Sequence, residues 1–170
     1  MKIVRNILLI TLAFLIQATL FGRFDLFGVR PDLVMITLIF LAGETEPVGL
    51  IWYGFFMGFL QDVYSPEYLG FNTFSMSMMA FILGVIRDRL TVENYTVKLF
   101  TTLFACMVHD AVYYTLYTRF ELPVMVSLFV RDGLPGAVYT AVLAVLLVSI
   151  WNRVQSGGVF FVVREIMGNR

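Results

Sequence analysis

The chain has 170 residues, 59% of them hydrophobic and 14% charged, with a mean hydropathy of +0.85. Soluble domains hold about 25% charged residues, so a water-facing globule is excluded. Lys plus Arg and Asp plus Glu stand at 12 each, which leaves no global field to draw in nucleic acid or an acidic substrate.

The apolar runs recur along the whole length, and only helices or closed barrels satisfy their backbone in lipid. A barrel needs alternation of polar and apolar residues over about ten positions, whereas Ala141–Ile150 is apolar on nearly every face. The expected class is therefore all-α. It is a polytopic membrane protein with six transmembrane helices in one compact bundle, a single integral domain over residues 1–170.

Lys2 and Arg5 precede the first apolar run, residues 7–22. No small-x-small cleavage site follows it, so it reads as a retained span. The second span, 31–43, opens at Val29-Arg30-Pro31-Asp32. Pro31 suits a first helical turn, and Asp32 suits the positive end of the helix. Thr45-Glu46-Pro47 turns into the third span, 47–65. A crossing takes roughly 20 residues, so Asp62 falls inside the membrane rather than beyond it.

The fourth span, 70–86, follows Pro66 and Leu69-Gly70-Phe71-Asn72 and stops at Arg87-Asp88-Arg89. The fifth, 97–117, carries His109 and Asp110 past its midpoint. Leu122–Val130, bounded by Glu121 and Arg131, is too short to cross and reads as re-entrant or interface-lying. The sixth span, 134–151, begins after Asp132-Gly133; Ser156-Gly157-Gly158 links to a tail whose Val159–Val163 touches the bilayer surface.

Six spans put both termini on one side. Lys2, Arg5, Arg87, Arg89, Lys98, Arg153, Arg164 and Arg170 lie near that side, against Arg23, Arg30, Arg119 and Arg131 on the other. Positive residues favour the cytoplasm, so both termini are expected there, in the cytoplasmic (inner) membrane.

Asp62, His109 and Asp110 are the intramembrane ionisable groups, and a carboxylate at mid-helix costs about 2.5–3.5 kcal/mol on insertion scales. With Arg131 at the outer mouth of the last span, they form an expected polar cluster in the outer half. One reading is a proton or cation pathway, or a small-ligand pocket. The other is a hydrogen-bonded cluster that fixes helix register. Neighbours on a helix point about 100° apart, so His109 and Asp110 cannot both line one narrow channel, and this favours the second.

Gly54-x-x-x-Gly58 permits close helix approach, within the chain or between two chains; Gly70 joins them as an expected packing glycine. Gly133 and Gly136, either side of Leu134-Pro135, fit the start of a helix. Trp52, Tyr53, Tyr64 and Tyr68 suit interfacial belts.

One His and one Cys, Cys106, leave no ordinary zinc set. There is no P-loop signature and no nucleophile elbow around Ser75, Ser77 or Ser127. Enzymatic activity is not expected, and neither is a cofactor.

Arg30-Pro31-Asp32-Leu33, Gly54 with Gly58, Gln61-Asp62, Pro66 with Leu69-Gly70-Phe71-Asn72, and Leu134-Pro135-Gly136 occur in an order that resembles the bacterial rod shape-determining MreD family. The resemblance implies a fold like the substrate-binding subunits of energy-coupling-factor vitamin transporters. It also implies a non-enzymatic scaffold of the elongasome, which binds MreC and organises lateral peptidoglycan synthesis with MreB and the RodA–class B penicillin-binding protein synthase. Of the family's residues, Asp62 is the one carried over. Leu128 and Phe129 are the expected partner contact, beside the charge of Arg131. The competing expectation is a substrate-binding subunit of a vitamin-type transporter. Such subunits dock through Ala-x-x-x-Ala on the first helix; Ala13 and Ala18 depart from that spacing.

Overall fold

The structure, a computed structural model, describes residues 2–20, 29–64, 66–90 and 95–155. They form α1 (Lys2–Leu20), α2 (Leu33–Ala42), α3 (Pro47–Val63), α4 (Phe71–Leu90), α5 (Tyr95–Tyr117), α6 (Leu122–Leu128) and α7 (Leu134–Gln155), with a 3-10 turn at Pro66–Tyr68. No strand occurs among the described residues. Arg23, the turn at 91–94 and the tail with Val159–Val163 lie outside them.

The molecule is apolar on both sides of its wall. Leu8 and Leu12 on α1, Phe56 on α3, Phe81 on α4, Phe100 on α5 and Leu146 on α7 all face outward. Soluble monomers rarely expose an apolar patch beyond about 300–600 Å². Tyr95–Tyr117 and the run Leu122–Ile150 are also long and apolar enough to cross a bilayer. The fold fits a helical membrane protein.

α2 is the centre of the bundle. It touches α1, α3, α4, α5 and α7, and Met35, Leu38 and Leu41 are wholly buried. Asp32 caps its N-terminus, with Oδ1 accepting from the Met35 amide at 2.9 Å. The Asp32 amide donates to Thr140 Oγ1 on α7 at 2.9 Å, and the Val34 amide donates to Gln17 Oε1 on α1 at 3.0 Å. Ten residues rise only about 15 Å, half of a hydrocarbon core of about 30 Å.

α3 and α4 form a close antiparallel hairpin. A Cβ on Gly54 would lie 2.6 Å from Ala80 Cβ and 2.7 Å from the Met76 carbonyl; on Gly58 it would collide with the Asn72 backbone and come within 2.6 Å of Thr73 Cα. Both glycines thus serve contact within the chain. Gly70 does not pack: nothing lies within 4 Å of a Cβ there, and its role is the turn, at φ +102°. At the other end of the hairpin, Arg87 donates to the Thr45 carbonyl at 3.2 Å and pairs with Glu46 at 3.4 Å. Arg5 on α1 pairs with Glu44 there.

The segment expected to be re-entrant or interface-lying is continuous with the last helix. α6 runs through a π-helical turn, Phe129–Gly133, directly into α7. Pro135 supplies a reason: it has no amide for the Arg131 carbonyl, and its ring crowds that carbonyl, so the preceding turn widens rather than ends the helix. Gly133 is accordingly not a helix start. It is buried in mid-helix, where a Cβ would sit 3.3 Å from Phe129 and Tyr114 and 3.4 Å from Asp110 Oδ2.

Candidate functional site

Asp62 lies on the last turn of α3 and is fully buried. Its Oδ2 accepts from the Gly70 amide at 2.9 Å, the Thr73 amide at 2.9 Å and Thr73 Oγ1 at 2.6 Å; Oδ1 accepts from the Asn72 amide at 3.0 Å. These amides open α4, whose first turn has no intrahelical acceptor for them. An N-cap side chain normally serves such donors. Gly70 occupies the capping position and has no side chain, so a carboxylate from the preceding helix does the work. The positive end of the α4 dipole adds to the compensation. Asp62 therefore meets its burial cost with backbone amides and one hydroxyl.

A second polar region lies beside the N-terminus of α2. A cavity of about 300 Å³ is lined by Gln17 of α1, Val29–Asp32, Cys106, His109, Asp110 and Tyr114 of α5, Asp132 of the π turn, and Gly136, Ala137 and Thr140 of α7. His109 is buried; its Nδ1 lies 3.1 Å from Asp110 Oδ1, while its Nε2 is buried without a hydrogen-bond partner. The adjacent pair is possible because both side chains border a broad cavity rather than a narrow channel. Rings continue from it along α5: His109 stacks on Tyr113 (6.3 Å between centroids), Tyr113 on Tyr117 (6.0 Å), and Tyr117 meets Tyr68 of the 3-10 turn at 4.7 Å.

The expected grouping of Asp62, His109, Asp110 and Arg131 is thus divided. His109 and Asp110 share the cavity wall. Asp62 is absent from that wall and is bonded to α4. Arg131 points outward, its side chain 82% exposed, and pairs with Asp132 at 3.8 Å. The wall instead gains Arg30, Asp32 and Asp132. The first two stand in the Arg30-Pro31-Asp32-Leu33 motif, which was legible only as a helix start. Leu128 and Phe129 are half-buried, and Leu122, Val126 and Val130 carry the exposed face of α6 and the π turn. Among the described residues no group of three His, Cys, Asp or Glu is placed to hold a metal ion.

A family model described as rod shape-determining protein MreD matches residues 1–153. The chain belongs to the MreD family. No match was found among curated proteins or among solved structures. MreD proteins are bacterial membrane proteins with a role in determining rod shape, and the matched range takes in every element described above except the last two residues of α7. The residues on which the sequence resemblance rested divide between the two polar regions. Arg30 and Asp32 line the cavity, Gly136 backs it, and Asp62, Gly70 and Asn72 make the α3–α4 cap.

Proposed function

We propose that this chain is a multi-pass scaffold of the bacterial inner membrane, with six spans, cytoplasmic termini and no catalytic activity, which binds MreC. In this role it organises lateral peptidoglycan synthesis with MreB and the RodA–class B penicillin-binding protein synthase. The match to the MreD family over nearly the whole bundle carries the reading. The outer surface supports it: α1, α3, α4, α5 and α7 each turn large apolar side chains outward, and association in lipid relies on packing.

The most distinctive such face is α6 with the turn before it. Arg119 (φ 53°) and Phe120 (φ 68°) both adopt left-handed backbone, which is uncommon for bulky residues and costs of order 1–3 kcal/mol each. That strain projects Phe120 outward beside Leu122, Val126 and Val130. Leu128 and Phe129 line the inner side of the same helix and would act by supporting it. Affinity purification of the detergent-solubilised chain should recover MreC. Replacing Leu122, Val126 and Val130 with Asp should abolish that recovery while the chain still folds. Failure to recover MreC with the native chain would refute the scaffold reading.

The cavity favours, as a second reading, a substrate-binding transporter subunit. Its volume lies at the lower end of ligand pockets, about 300–1,000 Å³, and Ala13 and Ala18 lack the docking spacing. Vitamin-like compounds that raise the melting temperature would revive this reading.

A further inference from the structure

We propose that the outer face of α3 and α4 fits a bilayer thinner than the ordinary one and takes short-chain lipids in preference to long-chain ones. The inference rests on α3 and α4 each crossing the membrane, as in the six-span arrangement, and not on the binding of MreC. α3 has 17 residues, and the apolar stretch of α4, Phe71–Arg87, is equally long. Each rises about 25 Å, against a hydrocarbon core of about 30 Å. By contrast α5 has 23 residues and the run through α7 has 29, so the shortness belongs to this face.

The hairpin has no means of its own to make up the deficit. Tilt only shortens the height that a helix covers. The flanking groups are committed at both ends: Arg87 holds the Thr45 carbonyl and Glu46, and Asp62 holds the amides of Gly70, Asn72 and Thr73. Sliding is blocked as well, because Gly54 and Gly58 seat directly on the α4 backbone. A span that is too short and fixed in length is met by thinning of the surrounding bilayer. The lipid-facing side chains agree with that height. Trp and Tyr settle at headgroup level. Trp52 and Tyr64 are both exposed on α3, twelve positions and about 18 Å apart. Phe55, Phe56 and Phe59 fill the exposed face between them.

The test uses the full chain with Trp151→Phe, which leaves Trp52 as the sole tryptophan. It is placed in vesicles of brominated dioleoylphosphatidylcholine mixed with one unbrominated phosphatidylcholine. Brominated chains quench a tryptophan that they touch, so a lipid that displaces them restores the emission of Trp52. Dimyristoleoylphosphatidylcholine is expected to compete at least twofold better than the dioleoyl lipid, and dierucoylphosphatidylcholine worst of the three. A tryptophan moved to the exposed side of α7 (Leu146→Trp, with both native tryptophans changed to Phe) should show no such preference. Cysteines at Glu46 and Glu121, labelled from either side of the same vesicles, report whether the chain spans them. Opposite labelling with equal competition by all three lipids, or with the dioleoyl or dierucoyl lipid best, would overturn this proposal alone. Same-side labelling would overturn the six-span arrangement and the proposal with it. A Trp52 that brominated chains do not quench, or an equal short-chain preference at Leu146→Trp, would also overturn it.

Discussion

A buried carboxylate and a glycine without packing contacts make one device. Asp62 takes the amides of Gly70, Asn72 and Thr73 because Gly70 turns the chain with positive φ and offers no cap of its own. Asp62→Ala would strand three amides and a hydroxyl, and hydrogen bonds to charged groups contribute about 1.5–3 kcal/mol each. We expect a loss of about 3 kcal/mol or more, read from reversible unfolding in detergent. Asp62→Asn keeps the shape but sets its amide against one of the donors, so it should recover only part of that loss. Gly70→Ala meets no clash and should still cost about 1–2 kcal/mol from backbone strain. The burial of Asp62 was legible from its place in an apolar run. Its partners were not, because backbone amides have no residue type, and reasoning over side chains turns to His109, Asp110 and Arg131 instead.

Among elements, the apolar runs marked α1 to α5 and α7 to within a few residues, since charged or turn-forming clusters bound each one. What misled was the same rule applied to Leu122–Val130. Glu121, Arg131 and Asp132 look like ends, but an exposed helix tolerates charge, and Pro135 widens the ladder without breaking it. The small pair Gly54 and Gly58 could have served a second chain; the α4 backbone fills that face. Gly58→Ala should therefore lower stability by about 1–3 kcal/mol through overpacking. It should also leave the oligomeric state in detergent unchanged. A loss of dimer with unchanged stability would contradict the internal role.

For the whole molecule, topology and partner choice remain the decisive measurements. With Cys106 replaced by Ser, a cysteine at Glu46 should react with an impermeant thiol reagent only from the cytoplasmic side. One at Glu121 should react only from the opposite side. Identical sidedness would refute the six-span arrangement. The existence of a second polar region was partly readable, because His109 and Asp110 announce it. Its size was not: the cavity is walled by residues of α1, α5, α7 and the approach to α2, a three-dimensional arrangement that no single apolar run displays.

The α3–α4 cap also bears on biogenesis. The groups that neutralise Asp62 lie eight to eleven positions further along the chain, so they are not yet in the bilayer when α3 leaves the ribosome. During synthesis α3 alone would carry an uncompensated charge into lipid, and it has reason to linger in the translocon until α4 arrives. The two helices should thus be released together, as one unit: α3 of a chain ending at Tyr64 should still crosslink to the translocon, where α3 of one ending at Leu90 should not.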